Sequence, residues 1–150
     1  MQARHKLERA LLREAQRPHA ERDAAIVRII GLIPRGRTAA YSAVASAAGY
    51  PLHHRLVARL LRQRGDALPW QRVTGVGGAI KLRLGAALEQ RTRLELEGVE
   101  FHGRHVAAKH ILSSEDLVCL RIQSEKRAGA RKLPAAASTP PLPPRLPRRC

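Results

Sequence analysis

Aromatic residues are scarce in this chain of 150 residues, where one Trp, one Phe and two Tyr make up 3% of the sequence. The core must therefore be built from Leu, Ile, Val and Ala, a set that favours packed helices. The apolar share of 44% is normal for a globular protein, and the length suits one ordinary domain. These features predict a mainly α protein with one core.

Cysteines and long apolar runs are also scarce. Two cysteines, Cys119 and Cys150, do not make a disulfide framework or a zinc site. The adjacent histidines at 53–54 face different directions on a helix, and those at 102–110 lack cysteine or carboxylate partners at ligand spacing. No apolar run approaches the roughly 20 residues that cross a bilayer, and the first residues lack the apolar segment of a signal peptide. We therefore expect no metal, no cofactor, no membrane partner and a cytoplasmic location, nucleoid-associated if bacterial.

Positive charge is in excess, with 28 Lys and Arg against 12 Asp and Glu and a net charge of +16. A charge of this size indicates a polyanionic partner such as nucleic acid, although it says nothing about the fold. The final stretch, AGARKLPAAASTPPLPPRLPRRC, holds six of the ten prolines. We predict a basic, Pro-rich tail, disordered from about residue 128, at the end of a C-terminal extension.

Hydrophobic spacing predicts helices along most of the chain. They span residues 3–16, 20–32, 43–48, 54–64, 88–98, 105–112 and 114–122. We expect Pro18 to end the first helix, Ser42 to cap the third and Gly65 to end the fourth. Ser113 and Asp116 are spaced like a capping box for the last helix. The predicted divisions are an N-terminal helix at 1–17, a domain at 18–112 and the extension at 113–150.

The helices at 43–48 and 54–64, joined by a tight turn, form a helix-turn-helix pattern whose second helix is basic. Its arginines form one stripe opposite the apolar face: Arg55, Arg59 and Arg62. We expect these arginines to contact phosphates. Glycines at 75, 77 and 78 interrupt a β-like run and predict a hairpin or wing. The fold class is therefore mainly α, a winged helix-turn-helix-like domain with a small β-hairpin.

Four motifs then occur in order: IPRGRTAAYSAVASAAGYPLHHRLVARLL, LPWQRV, GAIKL and EQRTRLELEGVEF. Together they cover about residues 20–112 and resemble the DNA-binding domain of the O6-alkylguanine-DNA alkyltransferases. Active members carry Pro-Cys-His-Arg-Val, in which the Cys accepts the alkyl group and the His helps to activate it. Here the matching stretch is Pro69-Trp70-Gln71-Arg72-Val73. A Trp in that place marks the alkyltransferase-like proteins, which bind alkylated DNA without repairing it and often read Pro-Trp-His-Arg-Val.

The chemistry of these residues agrees with a loss of catalysis. Alkyl transfer needs a thiolate kept reactive by a nearby base or positive charge. The indole of Trp70 is not an adequate nucleophile at neutral pH, and the amide of Gln71 does not titrate in the physiological range. Cys119, flanked by Leu and Val, is predicted to be a small buried hydrophobe. We therefore predict a protein that is not an enzyme.

The resemblance implies roles for residues along the helix-turn-helix. Tyr41 matches the tyrosine that rotates the phosphate of the target nucleotide, and Arg55 matches an arginine finger that fills the gap left by the flipped base. Arg62 matches a basic position that meets the backbone, and Ala58 permits the close approach that a helix in the minor groove requires. With Arg59 from the basic stripe, these residues make up the expected DNA-contacting set.

The resemblance also implies a pocket for the flipped base. Trp70 would form one wall, shaped by Pro69, and would tolerate bulky adducts. Arg72 is expected to anchor the surrounding network. Lys81 and Arg83 are candidates to touch the lesion base or its phosphate, with Arg83 favoured by its offset from the Trp. The expected pocket set is Pro69, Trp70, Gln71, Arg72, Val73, Lys81 and Arg83.

The leading hypothesis is a monomeric, non-enzymatic sensor that flips O6-alkylguanine in double-stranded DNA and flags it for nucleotide excision repair proteins. One alternative is an active alkyltransferase using a displaced cysteine, which needs Cys119 near the pocket. Another is a helix-turn-helix regulator that reads an operator in the major groove, usually as a dimer. All three bind DNA, and they differ in whether a lesion is selected and whether it is repaired.

Overall fold

The computed structural model describes the backbone of residues 2–132 and the side chains of residues 4–9 and 19–131. The helices are α1 (Gln2–Leu32), α2 (Tyr41–Ala47), α3 (His54–Arg64), α4 (Leu84–Leu96) and α5 (Ser114–Lys132). The strands are β1 (Thr38–Ala40), β2 (Val73–Thr74), β3 (Phe101–His102), β4 (His105–Val106) and β5 (Ile111–Leu112). The predicted fold class, a mainly helical helix-turn-helix-like domain with small strands, is confirmed. The basic tail beyond Lys132, with Cys150, lies outside the described residues.

The core lies where α1, α2, α3 and α5 meet around β1. The contribution of α1 follows the helical period, because its buried residues are Ile26, Ile29, Ile30 and Ile33. From α3 the apolar face predicted from the sequence is buried: Leu56, Val57, Leu60 and Leu61. Each such side chain contributes about 1.5–3 kcal/mol when fully buried. The side of α3 that carries the arginines is therefore fixed toward the outside.

A three-stranded parallel sheet with the order β2–β1–β5 runs through this core. Ala39 of β1 pairs with Val73 on one side and with Leu112 on the other. Because the strands are parallel, the segments that precede them lie at one edge of the sheet. This arrangement brings Ile33, Gly36 and Arg72 close together, although they are far apart in sequence.

The C-terminal helix α5 packs on the helix-turn-helix. Its Leu117 is fully buried in the core, and Arg121 Nη1 donates to the carbonyl of Ala47 at 3.0 Å, at the C-terminal end of α2. The expected capping box is confirmed, since the Ser113 N–H donates to Asp116 Oδ2 at 2.9 Å and the Asp116 N–H donates to Ser113 Oγ at 3.1 Å. The helix runs to Lys132, past residue 128, where the sequence predicted disorder to begin. The division into residues 1–17, 18–112 and 113–150 stays a prediction.

Two predicted features of the N-terminal half are wrong. The first helix does not end at Pro18, because α1 is continuous from Gln2 to Leu32. Proline removes one helical hydrogen bond, but its fixed φ is itself helical, and the chain on both sides has good helix formers. Ser42 is not the N-cap of α2, which begins at Tyr41 after Ala40 in an extended conformation.

Predictions for the segments around α4 also need correction. The expected helix over 105–112 is absent from the described residues, because β4 pairs with β3 and β5 joins the sheet. The hairpin is at 101–106, while the glycines at 75–78 form a short 3-10 turn after β2. The helix predicted over 88–98 starts earlier, at Leu84, and ends where Gly98 takes a φ of 88°. Strand pairing, within the hairpin for β4 and at long range for β5, therefore overrode the helical spacing of residues 105–112.

The turn at Gly78 is close-packed against the hairpin. A Cβ atom on Gly78 would lie 2.8 Å from Cβ of Val106, and the φ of Gly78 is 80°. Only glycine meets both requirements without displacement of its neighbour. The loop that follows, which leads to Lys81, is thereby anchored at its base.

Candidate nucleic-acid interface

A cavity of about 410 Å³ lies between α3, the start of α2 and the segments that follow α3. Its lining consists of Tyr41, Ala58, Leu61, Arg62, Gly65, Trp70, Lys81, Leu82 and Gln90. Most of these residues present apolar surface, with a phenol, an amide and two cations among them. Five residues predicted for DNA contact or for the pocket thus meet here: Tyr41, Ala58, Arg62, Trp70 and Lys81. We call it the Trp70 cavity.

A second cavity of about 310 Å³ lies on the other flank of α3, against α1. Its lining is strongly cationic: Arg22, His53, Arg55, Leu56, Arg59 and Arg62. His53 Nδ1 is buried there without a hydrogen-bond partner among the described residues. This arginine cavity holds the whole stripe predicted from the sequence, and Arg62 lines both cavities. Sequence reasoning missed Arg22 because its helix is distant in sequence from α3.

Tyr41 is the first residue of α2 and is half-buried in the Trp70 cavity. Burial raises the pKa of its phenol above the ordinary value of 10.0, while the charge of Arg62 opposes this shift. The hydroxyl therefore stays protonated at neutral pH and is available as a hydrogen-bond donor. A neutral donor beside an arginine suits contact with a phosphate oxygen.

Trp70 begins a 3-10 turn that spans Trp70–Arg72 and leads into β2. The backbone N–H of Trp70 donates to the carbonyl of Leu68 at 2.7 Å, across Pro69. The guanidinium carbon of Arg93 lies 5.3 Å from the centroid of the indole ring. The indole thus forms part of the cavity wall and is contacted by a cation from α4.

Behind this turn lies a polar network centred on Glu97. Arg72 Nε donates to Glu97 Oε2 at 3.0 Å, Arg72 Nη2 donates to Oε1 at 3.1 Å, and Gln71 Nε2 donates to Oε1 at 2.8 Å. Arg72 Nη1 also reaches the carbonyl of Ile33 at 2.9 Å. Burial opposes the ionised form of Glu97, but hydrogen bonds from Arg72, Gln71 and the Gly36 N–H outweigh it and hold the pKa of this carboxyl below its ordinary value of 4.5. The network fixes the turn that carries Trp70.

The cavity lining differs from the pocket set expected from the sequence. Pro69, Gln71, Arg72 and Val73 do not line the Trp70 cavity. The side chain of Gln71 is directed to Glu97 instead, and Val73 is buried in the core as part of β2. Arg72 has the contacts expected of an anchor, because it donates to Glu97 and to the carbonyl of Ile33. The amide of Gln71 is directed away from the cavity because Glu97 offers it a charged acceptor, and its place in the pocket set stays a prediction.

Gln90 is a cavity residue that sequence reasoning missed. It is 1% exposed, and its Nε2 donates to the carbonyls of Gln71 and Val73 at 3.1 and 2.9 Å. Gln90 lies four residues before the buried Leu94 and so shares its face of α4. A glutamine on the buried stripe of an otherwise charged helix was the signal that could have found it.

Of the two cations proposed near the lesion, the structure places Lys81 in the cavity lining and not Arg83. Lys81 crosses closely over Gly75, where an added Cβ would lie 2.6 Å from Lys81 Cε. Arg83 is exposed and comes just before Leu84, whose φ of 49° is left-handed. The preference for Arg83 over Lys81 in the pocket is therefore not supported by the placement of the two side chains.

Cys119 lies away from both cavities. It is exposed, which contradicts the predicted burial. It lines a separate cavity with Pro34, Arg37, Asp116 and other residues of the α5 side. Its position on α5 at the surface explains the exposure, because the buried face of this helix carries Leu117. The described cysteine is therefore not an acceptor within the Trp70 cavity.

Comparison with known proteins decides the family. The DNA-binding domain of 6-O-methylguanine DNA methyltransferase matches residues 21–99. This chain belongs to that family. The match begins in α1 and ends just after α4, so it includes both cavities of α3 and the turn at Trp70.

Individual relatives agree with this assignment. A protein of Vibrio parahaemolyticus serotype O3:K6 (strain AQ3810), named DNA base-flipping protein, is 38% identical over 77 residues, which cover 50% of this chain and 77% of that protein. The crystal structure of S. pombe Atl1 in complex with damaged DNA containing O6-carboxymethylguanine is similar at 29% identity, with a TM-score of 0.50 over 55% of this chain and 81% of that chain. A second S. pombe structure, ATL in complex with DNA, shares the fold at 24% identity, with a TM-score of 0.52 over 61% and 94% of the two chains.

Two kinds of feature are absent from the part of the chain that the structure describes. Within it, no helix is both long and apolar enough to span a bilayer. Nor do the described side chains bring together three or more His, Cys, Asp or Glu as a metal site would require.

Proposed function

We propose that this protein recognises O6-alkylguanine in double-stranded DNA by flipping the damaged nucleotide into the Trp70 cavity, and that it leaves the alkyl group in place. The observation that carries the proposal is the position of Trp70. It occupies the place of the acceptor cysteine in the family motif and lines a cavity beside the basic helix α3. An indole there offers a stacking surface where an enzyme would present a thiolate.

The cavity suits a flipped alkylated base. Its walls include Leu61, Leu82 and the Trp70 ring, which favour an apolar O6 substituent, while Lys81 and Gln90 offer polar groups to the purine edge. Flipping costs a few kcal/mol in lost stacking and pairing. Contact with Trp70 offsets part of that cost only after the base has entered. No in-line attack geometry must be kept, so bulky adducts are tolerated.

The helix-turn-helix would hold the duplex. We assign the phosphate contacts to Arg59 and Arg62, and the space left by the flipped base to Arg55 at the start of α3. A guanidinium is planar and cationic, so it can fill that space and pair with the orphaned base. The hydroxyl of Tyr41 would donate to the rotated phosphate, and Ala58 would allow close approach in the minor groove.

Four finer parts complete the proposal. The protein would act as a monomer in the cytoplasm, would perform no alkyl transfer and would mark the lesion for nucleotide excision repair proteins. The absence of alkyl transfer is supported by the surface position of Cys119 and by the lack of a titratable base at Gln71. Because the alkyl group would stay on the DNA, other proteins would have to remove the lesion. We therefore propose that the bound protein marks the site for them.

The test is a paired binding assay at one fixed salt concentration. One duplex carries O6-methylguanine, and the other carries guanine in the same sequence. The lesion and the protein are followed by mass spectrometry in the same samples. We expect tighter binding to the methylated duplex, with the methyl group still on guanine.

Two other outcomes would each contradict the proposal. Loss of the methyl group with an equal mass gain on the protein would mean a displaced nucleophile and would favour the alkyltransferase alternative. Equal affinity for both duplexes would leave a general DNA-binding protein and would favour the regulator alternative. Replacement of Cys119 and of Cys150 by Ser, one at a time and together, separates the first outcome from contamination, because transfer by this protein to either thiol would be lost in the double variant.

A further inference from the structure

Arg93 contacts Trp70 without lining the cavity. The guanidinium carbon is 5.3 Å from the centroid of the indole ring, within the range of a cation–π contact. Trp70 lines the cavity and Arg93 does not. The guanidinium therefore contacts the indole from outside the lining of the cavity.

The guanidinium is itself held by two carboxylates. Arg93 Nε and Nη2 donate to Glu89 Oε1 at 3.0 and 2.7 Å, one helical turn back on α4. Arg93 Nη2 also lies 3.6 Å from Asp66 Oδ1. Asp66 belongs to the 3-10 turn that follows α3, directly after Gly65 of the cavity lining. The side chain thus links α4, the end of α3 and the Trp70 ring.

We propose that Arg93 is a positioning residue that presets the orientation of the Trp70 indole for stacking on the flipped base. The proposal rests on the function proposed above, in which Trp70 is the wall that meets the alkylated purine. A ring held in place before binding loses less side-chain freedom when the base arrives, so the contact with the base contributes more of its energy to selection. Arg93 would then affect discrimination between alkylated and normal guanine without touching either.

The chain offers a matched control on the same helix. Arg91 also contacts an aromatic ring, with its guanidinium carbon 4.6 Å from the centroid of Phe101, and its Nε donates to Glu95 Oε1 at 2.8 Å. Arg91 thus has the same charge, the same helix and the same kind of partners, but its ring lies away from the Trp70 cavity. Arg93→Leu and Arg91→Leu remove equal charge, so a difference between them reports on Trp70.

The first measurement uses the fluorescence of Trp70, which is the single tryptophan of the chain. In the full-length protein without DNA, Arg93→Leu is expected to shift the emission and to increase quenching by acrylamide. Arg91→Leu is expected to leave both unchanged. Circular dichroism of each variant checks that the helices are retained. Identical fluorescence in Arg93→Leu and wild type would overturn the contact on which the proposal depends.

The second measurement compares the affinities for duplexes with O6-methylguanine and with guanine. Arg93→Leu is expected to reduce the ratio of the two affinities by about two- to fivefold, the size of a partly exposed cation–π contact. Arg93→Lys keeps the charge without the planar group and is expected to restore part of the ratio. An equal ratio in Arg93→Leu and Arg91→Leu would overturn the positioning role, whereas a wild-type ratio of one would overturn the proposed function itself.

Discussion

The two cavities that flank α3 differ in almost every physical property, although they share Arg62. The arginine cavity is lined by four guanidinium groups and a histidine, whereas the Trp70 cavity is lined mostly by apolar and aromatic surface. Contacts to phosphates are electrostatic, sequence-independent and sensitive to salt. Contacts to a flipped base are made mainly by stacking on aromatic side chains and by the shape of the pocket. Under the proposed function, one helix would therefore separate affinity for DNA from selection of a lesion.

The separation follows from the period of α3. Its apolar stripe fixes the helix against the core, so Arg55 and Arg59 emerge on one flank and Ala58 and Leu61 line the other, while Arg62 borders both cavities. Under the proposed function, substitution of Arg59, which lines only the arginine cavity, should change total affinity, and substitution of Trp70 should change the preference for alkylated guanine.

Glu97→Gln should destabilise the support of the Trp70 turn. The carboxylate is 9% exposed and holds Arg72 at 3.0 Å, and breaking such a pair typically costs about 3–5 kcal/mol when fully buried. We expect a loss of about 2–4 kcal/mol in the free energy of unfolding at pH 7, measured by urea denaturation. Because the pKa of Glu97 is lowered in the folded protein, its contribution is present above the unfolded-state pKa and is lost as pH falls through the folded-state pKa.

The difference between wild type and Glu97→Gln should therefore shrink between pH 7 and pH 3. Glu95→Gln is the control on the same helix, because Glu95 is 50% exposed in its pair with Arg91. Exposed pairs of this kind contribute at most about 1 kcal/mol. A Glu97→Gln variant as stable as Glu95→Gln at pH 7 would show that the network does not support the turn.

Trp70→Ala should abolish selection while leaving the arginine cavity intact. Stacking of a base on an aromatic side chain contributes about 1–3 kcal/mol. We expect the preference for an O6-methylguanine duplex to fall about tenfold or more, with little change in affinity for the unmodified duplex. Trp70→Phe keeps a smaller stacking surface, so its preference for the O6-methylguanine duplex should lie between those of the wild type and Trp70→Ala. Equal losses for both duplexes would instead mean that Trp70 supports the fold and does not select the lesion.

Arg59→Gln should reduce binding to both duplexes by the same factor. Arg59 lines the arginine cavity and not the Trp70 cavity. Removal of one phosphate contact is expected to lower the slope of log affinity against log salt by about 1, which titrations at several salt concentrations measure. Arg104→Gln, at an exposed site in the β3–β4 turn, should leave the slope unchanged. A change in lesion preference on Arg59→Gln would break the proposed division between the two flanks.

The elements that sequence reasoning located well are those determined by local physics. The bounds of α3 follow from four apolar positions at helical spacing and from Gly65, whose φ of 48° ends the helix. The Ser113–Asp116 capping box is equally local. The strands at 105–112 were missed because their stability comes from strand pairing, which the spacing of Val and Ile does not reveal. Strand β4 pairs with β3 across a tight turn, and β5 pairs with β1, which is far away in sequence.

The same contrast holds for the candidate site. The family motif predicted Trp70 and Tyr41, which the structure brings together in one cavity. Gln90 and Arg93 were missed because their contacts to the Trp70 turn cross from another helix. Gln71 was assigned to the cavity because it follows Trp70 in the motif. A 3-10 turn directs consecutive side chains to different sides, however, and the side chain of Gln71 is hydrogen-bonded to Glu97.

The parallel sheet also sets the order in which the molecule can assemble. Strand β1 is its centre, yet one of its partners, β5, ends only at Leu112. Contacts between residues so far apart in sequence carry a large loop-closure entropy, and they cannot form before β5 has been synthesised. A nascent chain that has emerged through α3 therefore carries every arginine of the DNA-binding stripe but lacks the framework that orients them. Under the proposed function, the chain could select a lesion only after β5 has been synthesised and has paired with β1.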